Sequence, residues 1–339
     1  MNQVIQPNIK RLMRHWGLAA KSWEPIKDVF KVETDYGYKN LKVSPLKPER
    51  LVFVHAAIAH LLQSGFSKIY PYIPTLDGNT YVSDSIHAYT LFDWIEGRQC
   101  DFHNQHELTQ ATTVFAQFHR CSYGFVPPNH SNMRNQLGKC IMHFGERHQN
   151  LMQFRDIAQK MRNDPFAALF LDNIDFYLAM AKEAINRIEI TSYEHLVSEG
   201  NLLKPFSHGD PAARNFILTP NQEVFMIDFD SCRVDLPLMD LIKFMRRVMK
   251  KYQWNPKIAM LIMDSYQSII PLSAGEIEVI KAVLYFPQKF WRMSIRYFHQ
   301  HGRHSQERSL QKFSKYLQSR AAFTSFHANF NHYQHIGDR

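Results

Sequence analysis

Apolar and polar residues alternate through VFKVETDYGYKNLKVS, residues 29–44, on both sides of Asp35-Tyr36-Gly37. Period-two alternation around such a turn predicts an antiparallel hairpin. After PLKP the period changes. In PERLVFVHAAIAHLLQ, residues 48–63, apolar residues recur every three or four positions, which predicts a helix. Pro48 falls in its first turn and Gly65 just past its end, where each residue type belongs. A shorter helix is predicted within residues 7–20, ending at Gly17. Residues 69–95 carry a second turn signal, Asp77-Gly78, and at least two strands. Residues 20–95 therefore read as a small, mostly antiparallel sheet with one main helix.

From Gly97 the texture is helical. DFHNQHELTQATTVFAQFHRCS places a helix start near Asn104, and residues 131–200 show helical periodicity with charged faces. The segment SHGDPAARN, residues 207–215, interrupts this pattern. Two short apolar runs follow in FILTPNQEVFMIDFD, residues 216–230, with Pro220-Asn221 between them, a second hairpin signal. Helices resume near Pro237 and are expected to about residue 322, followed by a His-rich, weakly periodic tail. The predicted class is α+β in three parts. Residues 1–95 hold a helix and the antiparallel sheet, residues 96–325 form a large mainly helical lobe with an embedded loop and hairpin, and residues 326–339 form a tail. A ligand is expected in a cleft between two such lobes.

Composition narrows the class. The chain has 339 residues, of which 45% are apolar and 13% aromatic, enough for a large core and unlike a disordered segment. No apolar run reaches the ~18–20 residues that cross a bilayer, and the first residues do not read as a signal peptide. Cys100, Cys121, Cys140 and Cys232 are widely spaced, without a zinc-site pattern, so reduced thiols in a cytosolic protein are expected. The net charge of +9 fits attraction to phosphate-bearing partners such as a nucleotide, and equally to acidic surfaces generally. The densest basic run, MRRVMKK at 245–251, has apolar residues at helical spacing and reads as a solvated helix face, not a nucleic-acid patch.

Phosphoryl transfer asks a protein for positioning and charge neutralisation. A carboxylate must orient the attacking hydroxyl, hard oxygen ligands must hold magnesium, and a lysine must reach the nucleotide phosphates. The chain offers these in a compatible order. Asp210 opens the loop, Asn215 lies five residues on, Asp228 ends an apolar strand, and Lys42 lies on the second strand of the first hairpin. Each has a plainer reading: a polar turn, a strand-end turn residue, or a strand lysine facing water.

HGDPAARNFIL…VFMIDFDSCRVDLPLMDLIKF resembles the second half of the aminoglycoside phosphotransferase and choline-kinase-like superfamily, a branch of the protein-kinase-like fold. The shared motif is His208, Gly209, Asp210, Asn215, Asp228 and, further on, Asp240. LVFVHAAIAHLLQSGF, LFDWIEGRQCDF and YFPQKFWRMSIRYF resemble the CotS-type spore coat proteins within that superfamily. The resemblance covers roughly residues 20–300 and implies a bilobal kinase-like fold using ATP and magnesium. It implies that Asp210 is the base, that Asn215 and Asp228 hold the metal, and that Lys42 meets the phosphates. Residues 91–97 would be the connector, with the backbone of Asp93, Trp94 and Ile95 at the adenine. His208, Asp240 and His119 read as bracing residues. The partners implied are a nucleotide, a small-molecule hydroxyl acceptor and other spore coat proteins, with neither nucleic acid nor membrane. The implied location is cytoplasmic, with deposition in the spore coat of an endospore-forming bacterium.

Three departures stand beside the motif. The helix position where the fold normally carries a Glu for the strand lysine falls near His55, with Glu49 the nearest acid upstream. PIKDVFK, residues 25–31, lacks the glycines that allow close backbone approach to phosphate. Val234-Asp235-Leu236-Pro237 stands where the superfamily has Gly-Asp-Pro. Lys289, Trp291, Arg292 and Arg296 are either snorkelling cations on a core helix or a wall of the acceptor site. No acidic cluster suits a polycationic antibiotic. The alternative function is a catalytically silent structural protein of the spore coat on the same fold.

Overall fold

The computed structural model describes residues 7–84, 86–161, 163–299 and 306–333. By internal contacts the chain divides into two units, Met1–Arg134 with Lys204–Val234, and Asn135–Leu203 with Asp235–Arg339.

The first unit begins with α1 (Ile9–Met13), capped by Asn8, whose Oδ1 accepts the Arg11 N–H at 3.0 Å. A 3-10 turn carries it to Gly17. The strands β1 (Ser22–Ile26), β2 (Val29–Thr34) and β3 (Gly37–Ser44) precede helix α2 (Pro48–Gln63). After it come β4 (Val82–Ser83), β5 (Ala88–Asp93), β6 (Arg98–Gln99) and α3 (Gln105–Cys121). The first five strands form one antiparallel sheet in the order β1-β2-β3-β5-β4. Phe30 and Val32 of β2, Leu41 of β3, and Tyr89 and Leu91 of β5 pack with Ile9, Met13 and Trp16 in one apolar layer. Successive strand side chains point to opposite faces, so Lys42, next to Leu41, projects away from that layer. The register seats Lys42 between Val29 and Thr90.

β1 carries no period-two signal, because all five of its residues are exposed and one is Pro25. The segment PIKDVFK thus spans a real hairpin between β1 and β2, with Lys27 in the left-handed region.

Residues 204–234 group with the sheet unit. They hold β7 (Phe206–Ser207), a 3-10 turn at Ala213–Asn215, β8 (Phe216–Leu218), β9 (Val224–Met226), a second 3-10 turn at Phe229–Ser231, and β10 (Arg233–Val234). β8 pairs with both β9 and β6, and β7 pairs with β10. Gly97 makes the β6–β8 approach possible: at its φ of 150° a Cβ would stand 2.4 Å from the Leu218 carbonyl oxygen.

The second unit is helical: α4 (Cys140–Lys160), α5 (Pro165–Glu189), α6 (Tyr193–Leu203), α7 (Pro237–Lys251), α8 (Pro256–Gln267), α9 (Ala274–Tyr285), α10 (Gln288–His299), α11 (Gln306–Gln318) and α12 (Arg320–Phe330). Its core stacks aromatic rings from α5, α10 and α11, with Tyr177 on Phe290 at 3.9 Å and Phe166 on Tyr297 at 3.8 Å between centroids. The last helix runs past the expected end near residue 322, because Phe326, His327 and Phe330 are buried on one of its faces. Residues 334–339 of the expected tail lie outside the described residues. Among the described residues no helix is long and apolar enough to cross a membrane.

Candidate active site

The loop after β7 is built around a fully buried histidine. The Nε2 of His208 lies 3.0 Å from the Ile227 carbonyl oxygen, and its Nδ1 lies 3.3 Å from the Asp210 N–H. A carbonyl only accepts and an amide N–H only donates, so these contacts select the neutral tautomer with the proton on Nε2. His208 thus braces the loop. Gly209 follows with φ of 80°, and a Cβ there would stand 2.2 Å from the Ser231 carbonyl oxygen. The loop therefore lies hard against the turn that follows β9.

Asn215 joins the two segments. Its Nδ2 donates to the main-chain oxygen of Asp210 at 2.8 Å and to Asp210 Oδ2 at 3.3 Å, while its own carbonyl accepts the Ile227 N–H at 3.0 Å. The side chain is almost fully buried, and its Oδ1 takes no hydrogen bond from the described residues. Asp210 Oδ2 also accepts from Arg214, an ion pair the sequence did not signal.

Asp228 adopts a left-handed backbone, φ 65° and ψ 67°. For a non-glycine residue that conformation costs about 1–3 kcal/mol and recurs at functional sites. The turn brings Asp228 and Asp230 to one ammonium: Lys42 Nζ is 2.7 Å from Asp228 Oδ1 and 2.7 Å from Asp230 Oδ1. Burial alone would depress the Lys42 pKa, but the carboxylates of Asp230 and Asp228 outweigh it and the net shift is upward. Burial would raise Asp228, but Lys42 reverses that and holds its carboxyl below the usual range.

The missing helix acid is therefore replaced from another element. His55 lies in a buried pocket of α2, where burial first and the Lys42 charge second push its pKa down to about 3. It is a neutral ring, hydrogen-bonded through Nδ1 to Thr80 and packed at a tilt of 47° against Tyr72, 3.7 Å between centroids. Lys42 makes no ion pair with Glu49 among the described residues. Instead α2 contributes Arg50. Its guanidinium is buried and donates to the carbonyls of Asp230 at 3.1 Å, Asn132 at 3.4 Å, and Cys232. Sequence reasoning passed over Arg50, because a charged residue in the first turn of a helix ordinarily faces water.

The connector is fastened to the sheet. Asp93 ends β5 and pairs with the buried Lys39 at 2.5 Å, and the Trp94 N–H donates to Tyr38 O at 3.0 Å. Lys31 Nζ sits 4.9 Å from the Trp94 ring and 2.9 Å from Glu96. The main-chain N–H and C=O of Ile95 make no hydrogen bond among the described residues.

The described residues contain no group of three or more His, Cys, Asp or Glu side chains arranged to hold a metal. Two carboxylates, Asp228 and Asp230, meet at Lys42, and Asn215 adds an amide side chain beside Asp210. Such hard oxygens suit magnesium, which keeps several waters and takes few protein ligands. His119 is fully buried against Phe115 at 4.2 Å, and Asp240 is fully buried in the first turn of α7.

A profile of the family described as "Spore coat putative kinase YutH" matches residues 9–330. Spore coat protein S of Bacillus subtilis (strain 168) is 29% identical over 286 residues, which is 83% of this chain and 80% of that protein. Among solved structures, an aminoglycoside phosphotransferase from Alicyclobacillus acidocaldarius subsp. acidocaldarius DSM 446 matches with a TM-score of 0.84 at 21% identity, over 97% of either chain. The spectinomycin phosphotransferase APH(9)-Ia, solved with ADP and spectinomycin, matches with a TM-score of 0.58 at 16% identity, over 92% of this chain and 95% of that one. At these identities the structural likeness shows a shared α+β, kinase-like fold.

Proposed function

This chain belongs to the spore coat putative kinase YutH family, and we propose that it is an ATP- and magnesium-dependent phosphotransferase of the spore coat that acts on a hydroxyl. The observation that carries the proposal is Lys42 held at 2.7 Å from both Asp228 and Asp230, with Asn215 tying Asp210 to the same turn. In this reading Asp210 accepts the proton of the acceptor hydroxyl at its carboxylate, oriented by Asn215 and Arg214. Lys42 meets the nucleotide phosphates, and the backbone of Asp93, Trp94 and Ile95 meets the adenine. Asn215 and Asp228 are the metal ligands. Magnesium, when bound, supplies charge neutralisation for the phosphates. The acceptor is a small neutral or anionic alcohol, since the sequence shows no acidic cluster suited to a polycation and the net charge is +9.

A second reading has one observation in its favour. Lys42 is already neutralised by the acids of the site, and no helix carboxylate holds it for a nucleotide. On that reading the fold is a silent structural component of the coat.

Titration of the full chain with ATP, with and without magnesium, separates the two. The enzyme reading expects metal-dependent binding that Asp228→Asn weakens and Asp210→Asn leaves intact. Absence of binding at millimolar nucleotide leaves only the structural reading.

A further inference from the structure

One face of α10 carries charge that nothing among the described residues answers. Phe290, Ser294 and Tyr297 are buried, whereas Lys289, Arg292 and Arg296 are exposed on the other side of the helix. Their spacing of three and seven residues aligns them in a row about 10 Å long. Two neighbouring helices extend the row. Phe290 packs on Phe313 of α11 at 5.4 Å, which places the exposed Lys312 beside Lys289. Arg246 of α7 donates to the Phe286 carbonyl at 3.4 Å, just before α10 begins, and Lys250 is exposed one turn further along α7. Arg147 of α4 donates to Gln288 Oε1 at 2.8 Å and covers the Trp291 ring at 4.7 Å.

Among the described residues, none of Lys250, Lys289, Arg292, Arg296 and Lys312 makes an ion pair or a side-chain hydrogen bond. The electrostatics agree with the geometry. Partial desolvation first, then Lys250, Arg292, Arg296 and Lys312, lower the Lys289 pKa to about 8. Among the described residues no acid opposes them.

We propose that this face, with Lys289, Arg292 and Arg296 along its length, docks an acidic polypeptide segment carrying several carboxylates in series. A row of cations that repel one another is relieved by a matching row of anions, and each guanidinium fork takes a carboxylate in a bidentate pair. The face is open, which suits an extended chain. The cavity of about 360 Å³ in this unit is lined by other residues, including Arg187, Glu278 and Lys281. A nucleic acid fits the face less well. Single strands are gripped by stacking bases on free aromatic rings. Here Trp291 is covered by Arg147, and its indole N–H is tied to Asn150 Oδ1 at 3.2 Å.

The test is fluorescence anisotropy of a labelled Asp/Glu-rich peptide with the full chain at near-physiological ionic strength. The double variant R292E/R296E is expected to weaken binding by about tenfold or more. The charge-matched control K10E/K257E alters exposed lysines elsewhere and should change it less than about twofold. R292K/R296K keeps the charge but loses the forks, so its affinity should fall between those of the wild type and R292E/R296E. Equal losses in the two charge-reversed variants would reduce the effect to net charge and overturn the proposal, as would failure of the wild-type chain to bind the peptide. A single-stranded oligonucleotide of matched charge that binds more tightly than the peptide, with the same dependence on Arg292 and Arg296, would overturn the choice of partner.

Discussion

Lys42 and Lys289 are both ammonium groups drawn partly out of water, and their surroundings move them in opposite directions. Around Lys42 two carboxylates at 2.7 Å more than offset burial, so the proton is held tightly. Around Lys289 burial is joined by four more cations, and the pKa falls to about 8. The first arrangement is balanced within the fold, and its charges are aimed at one point. The second is left unbalanced and spread along a helix face. A balanced, convergent cluster is what positions a reacting group; an unbalanced, extended one is what attracts a partner.

The sharpest way to break the comparison is at the loop after β7. Asp210→Asn should reduce phosphoryl transfer by about 10²–10⁴-fold while leaving nucleotide affinity nearly unchanged, checked by single-turnover kinetics beside calorimetric binding. A parallel loss of affinity would mean that Asp210 serves binding instead.

Next in size is the charge balance itself. Lys42→Ala leaves Asp228 and Asp230 facing each other without a counter-ion. It should cost about 1–3 kcal/mol of stability, below the full penalty of a buried broken pair because the Asp228 side chain is 42% exposed. Denaturant unfolding of the variant measures it, and the double variant Lys42→Ala, Asp230→Asn should recover part of the loss.

Acid stability probes the neutral ring that replaces the helix acid. His55 and His327 both have pKa values lowered to about 3, with burial the first cause. Their unfolded forms take protons near the usual 6.5, so the unfolded chain binds more protons below that value. The stability each ring contributes is complete above about pH 6.5 and is lost as pH falls toward 3, on the order of a few kcal/mol apiece. Unfolding midpoints measured from pH 7 to pH 4 should fall accordingly, and His55→Gln should flatten part of the slope.

The smallest effect sharpens the other side of the comparison. Amine labelling followed by peptide mass spectrometry should show Lys289 reacting with a midpoint near pH 8. Lys42, whose pKa is raised by Asp230 and Asp228, should resist labelling through the ordinary lysine range. Lys289 titrating with the bulk surface lysines would remove the evidence that its neighbours crowd it.

Much of this was legible in the sequence where chemistry and periodicity coincide. The helix at 48–63, the hairpin at 29–44 and the loop at 207–215 were read with their bounds, because Pro, Gly and alternation mark them locally. β1 escaped because an exposed edge strand needs no alternation. Asp230 and Arg50 escaped for a different reason. Their roles depend on contacts across 186 residues for the neighbouring Lys42–Asp228 pair and 180 for Arg50 with the Asp230 carbonyl. Spacing along the chain does not encode which residue supplies the counter-charge. It said that a Glu was missing near His55, and the replacement came from the turn after β9. The later part of the last helix escaped because His327 interrupts an otherwise apolar face.

The most direct test of the central claim is calorimetric titration of the full chain with ATP in the presence of magnesium, repeated with Asp228→Asn. The account predicts saturable, metal-dependent binding in the wild type that the variant weakens by at least about tenfold. Binding that is indifferent to both magnesium and Asp228, or no binding at millimolar ATP, would contradict it.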